Sequence, residues 1–197
     1  MDEYHIIYVP GFGDPNKREE AAVGQWKKFG VTVHYHPLIW SDGELFAPKF
    51  ERLLKLIDEL HSHNYTISLV GTSAGASAAI NAFAKRPEAV SGLVCICGKI
   101  QNLQTIGAVN FEQNPAFKDS VDLLPASLQS LDNTKQTKIM SIHPLIDGRV
   151  NVADTFIEGA RTKIIPTIGH VVSIAYAITL GRKSIIRFLK ATASSSR

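Results

Sequence analysis

Six short apolar runs alternate with helix-like segments along the whole sequence, and this alternation constrains the fold more than any other feature. Most of the runs are continuously hydrophobic, which is typical of strands that are buried on both faces. They cover residues 5–9, 31–36, 66–70, 93–97, 138–143 and 163–167. Because parallel strands need crossover connections, the pattern predicts an α/β three-layer sandwich: a mostly parallel six-stranded sheet with helices on both faces.

The segments between the strands predict one domain. The clearest helix covers residues 48–60, where apolar residues recur at three- and four-residue spacing opposite charged ones. Residues 98–137 form the one long connection, for which we expect short helices over the sheet edge rather than a second domain. We therefore assign residues 1–190 to a single domain and expect the serine-rich residues 191–197 to be a disordered tail.

Composition and charge exclude several classes of protein. A chain of 197 residues with 45% hydrophobic and 20% charged residues is globular in composition. The net charge of +3, without runs of like charge, does not indicate a nucleic-acid partner. Two uncharged stretches, residues 66–84 and 164–181, are interrupted by polar residues, Gly or Pro. Each is better explained by a buried strand followed by a buried helix than by a membrane span.

The two cysteines and the N-terminus bear on the cellular compartment. Cys95 and Cys97 are two apart in one predicted strand, where they are poorly placed to form a disulfide with each other. The first residues, Met-Asp-Glu, are acidic and are not followed by a signal-peptide core. We expect two reduced thiols in the core and a cytoplasmic protein.

The loop after the third strand has a composition that suits nucleophilic chemistry. Residues 71–75 are Gly-Thr-Ser-Ala-Gly, and a helix pattern of small residues follows at once. A tight turn from strand to helix would hold Ser73 in a strained conformation clear of the sheet, and the glycines would remove clashing side chains. The backbone N–H of Ala74 and the positive end of the helix would then lie where an oxyanion develops.

A serine hydroxyl needs a base, and the base needs an acid that orients it. His170 follows the sixth strand, and Asp147 lies in the loop after the fifth, so both belong to the edge that carries Ser73. Asp154, seven residues further on in a predicted helix, is the alternative acid. We favour Asp147 because loops carry the functional residues at this edge of a sheet.

These three loops together resemble those of the α/β-hydrolase superfamily, and the similarity extends from the first strand to the last helix. Residues 71–75 resemble its nucleophile elbow, residues 147–150 its acid loop and residues 168–170 its histidine loop. The resemblance implies a small member without a cap domain, with a catalytic triad of Ser73, Asp147 and His170. The loop of residues 9–13 takes the place of the family's other oxyanion loop. By position the second donor is the N–H of Phe12, with Gly13 as the alternative, since Pro10 stands where many members have His.

The remaining candidates concern the pocket and metals. We expect Gly11, Gly13 and Thr72 at the substrate pocket, whereas Trp40, after the second strand, either lines the pocket or packs in the core. Two pairs of histidines are spaced two apart, at residues 34 and 36 and at residues 61 and 63, but no Cys or carboxylate completes a ligand set. We predict neither a metal nor a cofactor.

The sequence therefore predicts a serine hydrolase that cleaves a small-molecule carboxylic ester or thioester through an acyl-enzyme on Ser73. An acyltransferase or an amidase could use the same triad, because the motifs do not specify what resolves the acyl-enzyme. A binding protein that retains the hydrolase fold without turnover is the non-enzymatic alternative.

Overall fold

A wholly parallel sheet forms the centre of the computed structural model, which describes residues 3–13 and 15–195. Its six strands in these ranges lie in the order β2-β1-β3-β4-β5-β6, and every neighbouring pair is parallel. Their bounds are Tyr4–Val9 (β1), Thr32–Tyr35 (β2), Thr66–Thr72 (β3), Val90–Ile96 (β4), Ile139–Ile146 (β5) and Arg161–Ile168 (β6). The predicted α/β sheet is confirmed, with each strand within a few residues of its expected place.

The helices cover both faces of this sheet. In chain order they are Lys17–Gly24 (α1), Phe46–Ser62 (α2), Gly75–Lys85 (α3), Ala108–Gln113 (α4), Pro115–Gln129 (α5), Asn133–Gln136 (α6), His170–Thr179 (α7) and Arg182–Ser194 (α8). Buried side chains of α2, α3 and α5 pack on one face, and those of α1, α7 and α8 pack on the other. The fold therefore has the three layers that the sequence predicts. None of the described helices combines the length and apolar character needed to cross a membrane.

Alternate residues of β1, an inner strand of the sheet, belong to the two cores. Ile7 and Val9 of β1 belong to the core under α2, α3 and α5, whereas Ile6 and Tyr8 belong to the core on the opposite face. All four side chains are fully buried. Since full burial of a large apolar side chain stabilises a fold by about 1.5–3 kcal/mol, these continuous apolar runs favour a strand covered on both sides.

The strand order creates a crevice at the carboxyl end of the sheet. Because β2 and β3 lie on opposite sides of β1, the connections that leave β1 and β3 run toward opposite faces. Ligand sites of open α/β sheets lie at such a switch point. The two loops concerned are residues 9–13 and the Ser73 turn.

Two expectations about the connecting segments differ from the structure. Residues 98–137 contain α5, a helix of 15 residues, rather than short helices only. The expected tail is helical as far as Ser194, because Ala193 continues the buried stripe of Ile186 and Leu189 on α8. Residues 196 and 197 of that tail lie outside the described residues.

Candidate active site

Ser73 occupies a tight turn between β3 and α3. Its φ is 49°, in the left-handed region that costs a non-glycine residue about 1–3 kcal/mol. The turn is also crowded: a Cβ on Gly75 would lie 2.2 Å from the carbonyl oxygen of Val9, and a Cβ on Gly11 would lie 2.8 Å from the Cβ of Ser73. Glycines at these positions allow the turn to approach the loop after β1.

His170 and Asp147 form a hydrogen-bonded chain with Ser73. His170 Nδ1 lies 2.8 and 2.9 Å from the two carboxylate oxygens of Asp147, and His170 Nε2 lies 2.9 Å from Ser73 Oγ. Asp147 Oδ1 also accepts the backbone N–H groups of Arg149 (3.0 Å) and Val150 (2.8 Å). Because a carboxylate accepts hydrogen bonds, Nδ1 carries the proton and Nε2 is left to accept from the hydroxyl of Ser73.

The backbone around these side chains explains their orientation. Gly169, with φ of 93°, donates its N–H to the carbonyl of Ile146 at 2.8 Å, which ties the end of β6 to the end of β5. His170 is then the first residue of α7 and is 7% exposed, while Asp147 is 3% exposed. The arrangement shields the imidazole and its acid from water, and it leaves Ser73 partly accessible.

A cavity of about 740 Å³ opens in front of Ser73. Ser73, Ala74, Phe12 and His170 line one side of it, and residues between Lys99 and Phe117 line the other. Among the described residues, the N–H groups of Phe12 and Ala74 donate to no protein acceptor. Backbone donors that are free in this way, one of them at the N-terminus of α3, are the kind of group that can bind an anion.

The predicted pocket residues do not form the wall of this cavity. Gly11, Gly13, Thr72 and Trp40 are not among the residues that line it. Trp40 is 1% exposed and packs in the core, which is the second of the two alternatives that the sequence leaves open for it. Its ring packs edge-on against Phe117, at 5.8 Å between ring centroids, and Phe117 does line the cavity.

Lys49 fixes the loop that carries Trp40. Its ammonium group is almost fully buried and donates to the carbonyl of Ile39 at 2.9 Å and to the carboxylate of Asp42 at 2.6 and 2.7 Å. These bonds hold a loop in which Ile39 has a positive φ of 49°. Trp40 is thereby held beneath the aromatic wall of the cavity. An apparently ordinary helix lysine has this role, and its spacing in the sequence does not reveal it.

Asp154, the alternative acid, has another set of partners. Its carboxylate forms an ion pair with Lys99 and accepts from Asn102 Nδ2 at 2.6 Å. Its carbonyl accepts the N–H groups of Ile100 and Gln101 at 2.7 and 2.9 Å. The bonds from Lys99 and Asn102 lower the pKa of Asp154. Asp154 thus joins the segment after the acid loop to Lys99 and Asn102. Within the part of the chain that the structure describes, its carboxylate forms no hydrogen bond with His170, which bonds to Asp147 and Ser73.

Cys97 is closer to the site than the sequence indicates. It directly follows β4 and has a φ of 53°. Burial, together with the nearby Asp147 carboxylate, raises the pKa of its thiol. Among the described residues, Cys97, Asp147 and His170 are the three whose potential metal-ligating atoms lie within 4.8 Å of one another. The imidazole Nδ1 and the carboxylate already bond to each other, so the group is accounted for by the hydrogen-bonded chain rather than by a separate metal site.

The strand order, the turn at Ser73 and the His170 loop define the α/β-hydrolase fold, as the sequence predicts. No protein-family model and no curated protein sequence matches the chain. Among solved structures, Est1E from Butyrivibrio proteoclasticus is similar with a TM-score of 0.73 and 15% identity, over 98% of this chain and 89% of that one. The structure of carboxylesterases from the thaumarchaeon Nitrososphaera gargenis is similar with a TM-score of 0.65 and 13% identity, over 99% of this chain and 92% of that one. Alpha/beta hydrolase domain-containing protein 10 from mouse is similar with a TM-score of 0.58 and 16% identity, over 93% of this chain and 89% of that one.

Proposed function

We propose that this protein is a serine hydrolase that cleaves a carboxylic ester or thioester through an acyl-enzyme on Ser73. The observation that carries the proposal is the chain of hydrogen bonds from Asp147 through His170 to Ser73 Oγ at the wall of an open cavity. The similarity in fold to structures described as carboxylesterases supports the same chemistry.

Each of the three hydrogen-bonded side chains has a distinct role in this mechanism. Ser73 Oγ attacks the carbonyl carbon while His170 Nε2 takes the hydroxyl proton, and Asp147 stabilises the imidazolium that forms. The N–H groups of Phe12 and Ala74 bind the oxyanion of the tetrahedral intermediate. When the intermediate collapses, Nε2 returns its proton to the departing alcohol or thiol. Water, deprotonated by the same nitrogen, then releases the acid and regenerates Ser73.

The two cysteines support a reducing compartment such as the cytoplasm for this reaction. Cys95 and Cys97 are both buried and both unpaired. A secreted protein of this size would normally use such residues in disulfides.

A fluorophosphonate probe tests the proposal directly, because it reacts covalently with an activated serine. We expect one adduct per molecule, mapped to Ser73 by mass spectrometry, and no adduct in Ser73→Ala. Ser77→Ala is the matched control: Ser77 lines the same cavity, but its hydroxyl donates to the carbonyl of Ala74 at 2.9 Å, so this variant should still be labelled at Ser73.

Two outcomes would contradict the proposal. If the wild-type protein stays unlabelled at high probe concentration, the non-catalytic binding protein becomes the better interpretation. Equal labelling of Ser73→Ala would place the reactive group elsewhere. Comparison of phenyl acetate with its thioester analogue then decides between ester and thioester, and added alcohol or amine acceptors reveal any acyl transfer.

A further inference from the structure

Arg149 brings a positive charge to the cavity that holds Ser73. It lies in the acid loop, and its backbone N–H is fixed by Asp147 at 3.0 Å. In the described ranges its guanidinium group forms neither an ion pair nor a hydrogen bond with the protein. The proposed mechanism gives this side chain no task.

The other charges that line the cavity compensate each other. Lys99 and Asp154 form an ion pair with side chains that are 14% and 5% exposed, and Asn102 adds a further bond to the same carboxylate. His170 is paired with the carboxylate of Asp147. Among the described charged groups in the lining, Arg149 therefore remains as the one without a counter-charge.

Uncharged donors line the same cavity. Asn110 and Asn151 both line the cavity. Asn151 uses its Oδ1 to accept the N–H of Ala153 at 3.1 Å, which leaves its Nδ2 as a donor. A guanidinium group with amide donors nearby is the combination that binds a planar anion, because two parallel N–H groups of arginine match the two oxygens of a carboxylate.

We propose that the substrate is an ester or thioester that carries a carboxylate on its acyl or its alcohol part, and that Arg149 binds this carboxylate. This inference rests on the proposed function and names the substrate class of the same site. A carboxylate fits better than a phosphate dianion, since a second cation would be needed for the latter and Lys99 is already paired with Asp154. The charge of Arg149 then determines which esters are hydrolysed efficiently, and the hydrogen-bonded chain of Asp147, His170 and Ser73 carries out the hydrolysis.

Two pairs of esters matched in size test the inference, one for each side of the scissile bond. On the acyl side, mono-4-nitrophenyl adipate is compared with 4-nitrophenyl hexanoate. On the alcohol side, 4-acetoxybenzoate is compared with its methyl ester. The readout is the ratio of kcat/KM for the anionic ester to that for the neutral ester within each pair, measured at low and at high salt.

We expect Arg149→Gln to lower this ratio for at least one pair by about twofold to fivefold, as for a charged pair at an exposed site. Arg149→Lys should retain part of the ratio, because it keeps the charge and loses the paired donors. High salt should lower the ratio in the wild type and leave it nearly unchanged in Arg149→Gln. Arg187→Gln, an exposed arginine of α8 outside the cavity, is the control for the change in net charge.

The outcomes separate this inference from the function on which it rests. Ratios that are equal in wild type and Arg149→Gln for both pairs would overturn the inference, as would an equal loss in Arg187→Gln. In either case hydrolysis of the neutral esters would leave the serine hydrolase in place. Absence of hydrolysis of all four esters would overturn the proposed function, and the inference would fall with it.

Discussion

Replacing the two candidate acids separately by asparagine distinguishes a residue that orients the base from one that holds the cavity wall. In Asp147→Asn, the Oδ1 atom can still accept the N–H groups of Arg149 and Val150, so the loop is expected to keep its shape. The amide NH₂ then faces His170 Nδ1, which forces this nitrogen to accept. The proton moves to Nε2, where it points at Ser73 Oγ and prevents the imidazole from acting as a base.

The expected loss in kcat is about 10³- to 10⁴-fold, because the wrong tautomer of the base has an effect of that size in serine enzymes. At 1.36 kcal/mol for each tenfold change in rate, this corresponds to about 4–5.5 kcal/mol of transition-state stabilisation. The melting temperature should change little, since the hydrogen bonds to the loop backbone remain.

Asp154→Asn should have the opposite profile. Asn keeps a bond with Asn102 but leaves Lys99 without its counter-charge, so we expect a loss of about 1–3 kcal/mol in the free energy of unfolding. Its kcat should stay within about tenfold of the wild type, because the carboxylate does not bond to His170.

The assay combines kcat on 4-nitrophenyl acetate, corrected by titration of active sites, with urea denaturation of each variant. The reasoning is refuted if Asp147→Asn keeps more than a tenth of the wild-type kcat at full folding. It is equally refuted if Asp154→Asn loses three orders of magnitude in kcat without a loss of stability, because Asp154 would then be the acid.

Two further predictions concern stability. Gly75→Ala should destabilise the fold by about 3 kcal/mol or more, because the added Cβ would lie 2.2 Å from the carbonyl oxygen of Val9. Gly24→Ala, at φ of −59° with open space around it, should stabilise the fold by about 0.4–1 kcal/mol. Urea denaturation measures both free energies of unfolding, and equal effects of the two substitutions would contradict the close approach at Gly75. Lys99 and Asn102 lower the folded-state pKa of Asp154, so its contribution to stability is complete above the unfolded-state pKa and is lost as the pH falls through the folded-state pKa. The difference in melting temperature between wild type and Asp154→Asn should therefore shrink on acidification below pH of about 4, and a constant difference would contradict this origin.

The positions of the strands and of the three loop residues could be predicted from the sequence because each depends on local pattern. Continuous apolar runs indicate strands covered on both faces, and the carboxyl ends of parallel strands meet at one edge. The sequence places Ser73, Asp147 and His170 at that edge, and in the structure the His170 ring lies within hydrogen-bond distance of both Asp147 and Ser73.

The lining of the cavity could not be predicted, because it depends on contacts between segments that are distant in the sequence. Trp40 packs in the core since Lys49, nine residues later, holds its loop inward. The pairing of Lys99 with Asp154 joins two loops that are 55 positions apart. Neither contact produces a periodic pattern in the sequence. Arg149 is recognised as the unpaired charge of the described cavity lining only once the ion pair of Lys99 with Asp154 is known.

The order of the strands also decides when the site comes into being during folding. Ser73 and His170 are 97 positions apart, and His170 follows β6, an edge strand that pairs with β5. The turn that carries Ser73 needs β1, β3 and β4 around it, all of which leave the ribosome long before β6 does. A nascent chain can therefore present the serine turn without its base until the last strand has joined the sheet. On the proposed mechanism, covalent labelling at Ser73 therefore counts molecules in which β6 has joined the sheet, and it serves as a reporter of that step.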